Sequence, residues 1–355
     1  MKIATKIATV LTLSAALAAA TSSLALAKTD FKVAWSIYVG WMPWGYAADS
    51  GIVQKWADKY GISIEVTQFN DYVESMNQYT VGAYDAVTLT NMDGLSIPAA
   101  GGVDTTAVII GDFSNGNDAV ILKGQSDLAA IKGQAVNLVE FSVSHYLLAR
   151  ALESVDMSER DVNVVNTADP DMVGAFQTAD VTAMVTWNPM VSEILTLPDA
   201  SSVFDSSQIP GEIIDMMVAN TEVLEENPDF GKALAGIWYD TMAVMTADTP
   251  EGAAARQAMG VASGTDQAGF EAQLAATRLF ATPADAVAFT TSPDLGTTMD
   301  RVRSFLFDKG LLGSGAASPD AIGIELPDGT VLGDTGNVKL RFDASFMSMA
   351  ADGEL

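Results

Sequence analysis

Two tryptophans flank a glycine and a proline in Tyr38-Val39-Gly40-Trp41-Met42-Pro43-Trp44, directly after an alternating run at residues 31–37. In a loop at a strand's end, such rings can wall an apolar slot or stack on a planar or cationic ligand; they can also seal a core. Short polar and acidic side chains follow later strands, in Asn70-Asp71-Tyr72, in Thr90-Asn91-Met92-Asp93 and at Asp215. Asp71 is placed to cap the next helix or to face a cleft, and capping accounts for one of Thr90, Asn91 and Asp93 but rarely for all three. Glu140-Phe141-Ser142-Val143-Ser144-His145 opens another helix. The free N–H groups of such a terminus suit an anion. Glu140 stands directly in front of it, and a fixed carboxylate there favours a cation or a neutral hydrogen-bond donor. Trp187-Asn188-Pro189 supplies an opposite wall at another strand's end. The candidate ligand-binding residues are therefore Trp41, Trp44, Asp71, Tyr72, Thr90, Asn91, Asp93, Glu140, Ser142, His145, Trp187, Asn188 and Asp215.

His145 is the sole histidine and cysteine is absent. A conventional zinc or iron site has no support from such a residue set, so neither metal nor cofactor is expected, and His145 reads as a hydrogen-bonding or packing residue.

These residues need elements to position them. Strand-like runs at 31–37, 62–66, 85–90 and 105–110 alternate with helical segments at 47–60 (broken at Ser50-Gly51) and 71–79. A Gly/Asn/Asp-rich crossover at 111–117 leads to a second set: strands at 134–139, 162–165 and 182–187, with helices at 142–155 and 171–178. Residues 213–219 read as a strand returning to the first lobe. The chain beyond is mostly helical, with caps at Asn220, Thr249 and Ser292 and a short alternating segment at 338–342. This order predicts an α/β fold of two lobes joined by two crossovers, with ligand outside the carboxyl ends of the strands.

Lys2, Lys6, an apolar run at 7–26 and Ala25-Leu26-Ala27 form the pattern of a cleaved export leader, too short and too small-residue-rich for a membrane anchor. The expected division is a signal peptide at 1–27, a first lobe at 28–117 and 219–355 with a helical C-terminal extension, and a second lobe at 118–218. Without cysteine there is no lipid-attachment site, so a freely diffusing, monomeric periplasmic protein is expected. The formal charge of −27 disfavours nucleic acid and anionic lipid as partners. It suits a solvated surface, or a field that gathers small cations.

Taken in order, Gly45-Tyr46-Ala47-Ala48-Asp49-Ser50-Gly51-Ile52, the 85–90 strand, Ile131-Lys132-Gly133-Gln134, Ser144-His145-Tyr146-Leu147-Leu148 and Trp187-Asn188-Pro189 resemble the substrate-binding proteins of the sulfonate, taurine, nitrate and thiamine-pyrimidine type. The likeness covers about residues 31–219. It implies a type II periplasmic-binding-protein fold, hinge closure on a small-molecule ligand, and docking on an ABC permease with its ATPase. More narrowly, residues 39–44, 70–75 and 88–94 look like the subgroup associated with urea carboxylase and guanidine carboxylase, which implies guanidinium or urea as cargo. The alternatives are a taurine-, nitrate- or pyrimidine-type ligand, or a sensory protein that presents its ligand to a receptor. A pyrimidine synthase shares this fold but uses a cysteine cluster that this chain lacks, so binding without catalysis is expected.

Overall fold

The structure is a computed structural model that describes residues 28–355; the expected leader at 1–27 lies outside the described residues. In chain order the strands are β1 (Asp30–Ser36), β2 (Ser63–Phe69), β3 (Ala86–Thr90), β4 (Thr105–Ser114), β5 (Asp118–Lys123), β6 (Ala135–Leu138), β7 (Asn163–Asn166), β8 (Ala183–Trp187), β9 (Ala200–Asp205), β10 (Ile214–Asn220), β11 (Thr277–Leu279), β12 (Gly323–Glu325), β13 (Val331–Leu332) and β14 (Val338–Phe342). They form two sheets. The larger runs β13-β12-β14-β4-β10-β3-β1-β2, with β11 beside β4, and the smaller runs β7-β6-β8-β5-β9.

The direction of pairing brings the chemistry together. β2, β1 and β3 are parallel, so their carboxyl ends share one edge of the large sheet. β10 runs antiparallel to both β3 and β4, so its beginning reaches that same edge. Asp215 there sits opposite Thr90 on one side and Asp112 on the other. In the small sheet β5 is antiparallel to β8, which sets Asp118 at the start of one opposite Trp187 at the end of the other. All five residues of β3 and of β8 are buried, as expected of central strands covered on both faces.

The chain crosses between the sheets at residues 115–117 and again at 206–213. The return is therefore complete by Ile214, earlier than the boundary at 218. β4 continues through Ser114, so Asp112 belongs to a strand rather than to the expected crossover. β5 and β9 were not legible as strands. Ala119-Val120-Ile121-Leu122 is a continuous apolar run without alternation, and β9 is a Ser-rich stretch fixed as a strand by pairing with β5.

Another departure concerns the first tryptophan segment. A helix, Met42–Asp49, begins where a loop was expected, with Pro43 in its first turn. Gly51, at φ +84°, separates it from the helix Ile52–Tyr60. Asn220, Thr249 and Ser292 do cap helices, accepting from the N–H groups of Val223, Gly252 and Asp294. Among the described residues no helix is long and apolar enough to cross a membrane.

Candidate ligand site between the lobes

Tyr38, Trp41, Tyr72, Thr90, Asp118, Val143, Trp187 and Asp215 line a small cavity of about 10 Å³ between the two sheets. That is about the room one water needs, so the lobes hold the site nearly closed and only a small solute could enter as they part. The rings form a connected wall. Trp41 meets Tyr38 with centroids 5.1 Å apart and Tyr72 at 5.4 Å, and Tyr72 meets Trp187 edge-on at 5.8 Å. Trp187 comes from the small sheet and donates its indole N–H to the carbonyl of Ile37 at 3.3 Å, which ties the lobes together. Larger grooves lie elsewhere, one of about 400 Å³ beside Arg341. Arg341 there is already paired with Asp104 and Glu325, which leaves it little capacity for a ligand.

Four buried aspartates surround the cavity. Asp118 and Asp215 line it, Asp112 is the cross-strand neighbour of Asp215, and Asp93 bonds to two lining residues, Tyr72 and Thr90. No lysine, arginine or histidine is part of the lining. Tyr38 donates to Asp112 at 3.0 Å and Ser114 to Asp118 at 2.5 Å. Asp93 Oδ2 accepts from the Tyr72 hydroxyl at 2.8 Å, the Thr90 hydroxyl at 2.9 Å and the Val143 N–H at 3.4 Å. No described group donates to Asp93 Oδ1, Asp112 Oδ2 or Asp215 Oδ2, although all three atoms are buried. Gly40 makes room for one of them: a Cβ there would lie 2.3 Å from Asp112 Oδ2.

Burial without a cation disfavours the ionised form. It pushes Asp93 up to about 6, against the pull of its three hydrogen bonds. Asp112 and Asp118 rise to about 7 for the same primary reason. Asp215 rises well above the ordinary carboxylate range, through burial and then through the charges of Asp112 and Asp118. Burial and the neighbouring carboxylates also raise the hydroxyls of Tyr38 and Tyr72, which stay protonated as donors. The site is thus a small aromatic cage with a surplus of carboxyl oxygens.

Of the residues singled out in the sequence, Trp41, Tyr72, Thr90, Trp187 and Asp215 reach the cavity and Asp93 adjoins it. The others lie outside its lining. Trp44, carried inward by the early helix start, stacks on Trp238 with centroids 5.7 Å apart. Asp71 caps the helix Tyr72–Thr80, accepting from the Glu74 N–H at 2.8 Å. Asn91 clamps the second crossover, donating to the Glu212 carbonyl and accepting from the Ile214 N–H. Glu140 is half-exposed, its N–H bonded to Asn166. Ser142 caps the helix Val143–Glu153. His145 accepts from the Phe141 N–H and points Nε2 at Glu159, 3.0 Å away. Asn188 bonds Asn117 of the first crossover. The carboxylate facing the start of that helix is therefore Asp93 from the opposite lobe, in the place expected of Glu140.

Sequence reasoning did not single out Tyr38, Asp112, Asp118 or Val143. Asp112 was hidden in the segment read as a polar crossover at 111–117, and Asp118 lies directly after it; their signal was two acids flanking a passage between lobes.

Two α/β lobes closing on a cavity at their strand ends define the periplasmic-binding-protein fold. The chain belongs to the NMT1-like family, whose model matches residues 34–261. A curated relative from Brucella abortus, named for binding with no ligand given, is 24% identical over 188 residues, covering 51% of this chain and 56% of the relative. The chain thus spans about half the length of that relative. The taurine-binding periplasmic protein of Escherichia coli is 25% identical over 126 residues, covering 35% of this chain and 39% of that protein. Among solved structures, the alkanesulfonate-binding protein of Xanthomonas axonopodis bound to MOPS superposes with a TM-score of 0.67 at 14% identity, covering 84% of this chain and 99% of that one.

Proposed function

We propose that the chain is the periplasmic solute-binding component of an ABC importer, and that it captures a small planar solute rich in N–H groups, guanidinium or urea, between its lobes. One observation carries the cargo: aromatic walls are combined with Asp118 and Asp215, and no basic side chain lines the cavity. Guanidinium is planar, presents forked N–H pairs to carboxylates, and is weakly enough hydrated to lie against tryptophan faces. Urea shares the shape, and its carbonyl oxygen needs a donor, for which the lining offers only a carboxyl held protonated, such as Asp215. The tyrosine hydroxyls are committed to Asp112 and Asp93. Guanidinium offsets the charge of the ionised carboxylates, which urea cannot, and is the better fit.

Family membership and the periplasmic relative support capture and hand-over as the activity, with binding rather than turnover. Taurine and the alkanesulfonates named for those proteins carry an anionic sulfonate, which finds no basic side chain in this lining and is repelled wherever the carboxyls are ionised. The cargo reading departs from those relatives on that ground. The leader pattern at 1–27 supports export, after which the protein diffuses as an untethered monomer.

A thermal-shift panel of guanidinium, urea, taurine and nitrate tests the cargo. Stabilisation by guanidinium and not by the anions supports the reading. A response to taurine or nitrate with none to guanidinium or urea would leave solute capture standing and remove the cargo. Cell fractionation tests the location, with a leader-shortened chain expected in the periplasmic fraction.

A further inference from the structure

The helix Val143–Glu153 starts at the cavity, and its first N–H groups form the kind of terminus that ordinarily holds a small anion. Ser142 satisfies one of them, that of Ser144, at 3.2 Å. The N–H of Val143, a lining residue, points instead at a carboxylate from the other lobe, Asp93 Oδ2 at 3.4 Å. Asp93 is fully buried and held in place by Tyr72 and Thr90, while its Oδ1 receives no donor and the adjacent Ser144 hydroxyl is also unpartnered. A reciprocal contact lies close by. The N–H of Tyr72, at the start of the first-lobe helix Tyr72–Thr80, donates to Asp169 of the second lobe at 3.2 Å.

We propose that Asp93 is the specificity-determining residue of this site: it fills the helix's anion position from the opposite lobe and so sets the charge sign of the ligand. An incoming anion finds the terminus occupied and meets three further aspartates. A cation finds an additional carboxylate whose orientation is fixed before it arrives. Without the Asp93 carboxylate, the Tyr72 hydroxyl, the Thr90 hydroxyl and the Val143 N–H converge on a space of carboxylate size. That is a donor set for a small oxyanion. The inference rests on the interlobe cavity being the ligand site, and its anion arm does not depend on guanidinium being the cargo.

The test uses Asp93→Ser and Asp93→Asn in the full mature chain, titrated by calorimetry with guanidinium at pH 8 and with nitrate and taurine at pH 6. The lower pH places protons on Asp215 and on most of Asp112 and Asp118, which removes their repulsion of an anion. Asp93→Ser is expected to gain nitrate or taurine binding at least tenfold over the wild type, and both variants to lose at least tenfold in guanidinium affinity. Folded variants with unchanged guanidinium affinity and no gained anion binding would overturn the proposal. If Asp93→Ser fails to fold, the isosteric Asp93→Asn carries the test through its guanidinium loss. A wild type that ignores guanidinium while Asp93→Ser gains an anion removes the cargo reading and leaves the role of Asp93 intact. A wild type that binds guanidinium with both variants unchanged does the reverse.

Discussion

Asp215 of β10 lies directly across from Asp112 of β4, both side chains are buried, and each keeps one carboxyl oxygen that no described group donates to. Two acids so placed cannot both ionise unless a cation joins them. A cationic ligand touching Asp215 would complete the pair. Asp215→Asn removes that charge and keeps the shape. We expect at least a tenfold loss of guanidinium affinity, about 1.4 kcal/mol or more, together with a rise in the ligand-free melting temperature. Calorimetry and thermal denaturation check the two halves separately.

The pH dependence follows from the same carboxyls. Their native values are raised to about 6 for Asp93 and about 7 for Asp112 and Asp118, so between roughly pH 4 and pH 7 the folded chain holds protons that the unfolded chain has released. Their contribution to stability is therefore full below about pH 4 and is lost as pH rises towards 7, by up to about 1.4 kcal/mol per pH unit for each proton retained. General repulsion in a chain of formal charge −27 acts in the same direction. The comparison with Asp112→Asn and Asp118→Asn isolates the cluster: both variants should flatten the dependence of melting temperature on pH between 5 and 8. Guanidinium affinity should change oppositely, strengthening as pH rises through 7.

The tryptophans divide by location. Trp41 and Trp187 face the cavity, so replacing either by leucine should weaken guanidinium binding about tenfold, in line with a desolvated cation–π contact of about 1–2 kcal/mol. Trp44 packs on Trp238, so Trp44→Leu should lower stability and leave affinity within about twofold. Equal effects of all three on affinity would contradict this division.

Asp71 offers a control. As the cap of the helix Tyr72–Thr80 it should cost about 1 kcal/mol of stability when replaced by alanine, measured by urea denaturation, with no change in ligand affinity.

Much of this architecture is written in local pattern. The runs at 31–37, 85–90 and 182–187 fall on the strands Asp30–Ser36, Ala86–Thr90 and Ala183–Trp187, the caps at Asn220, Thr249 and Ser292 hold, and strand-end residues Trp41, Tyr72, Thr90, Trp187 and Asp215 converge. What could not be read depends on pairing between distant segments. Asp112 matters because antiparallel register sets it beside Asp215, and Asp118 because β5 starts opposite the end of β8. Glu140 has the right sequence position in front of its helix, yet lobe closure brings Asp93 there instead. Trp44 turned inward because Pro43 opens a helix earlier than the loop composition suggests. In each case local sequence states which side chains are available, and tertiary register decides which of them meet.

On the proposed function, a compact cation binds between Trp41 and Trp187 against Asp118 and Asp215. A crystal structure of the protein grown with guanidinium decides whether it does. The expected result is a planar ligand in the interlobe cavity, stacked on at least one of those tryptophans, with N–H groups within about 3 Å of Asp118 and Asp215. A cavity without guanidinium, or one that holds a sulfonate or nitrate in place of the cation, would contradict it.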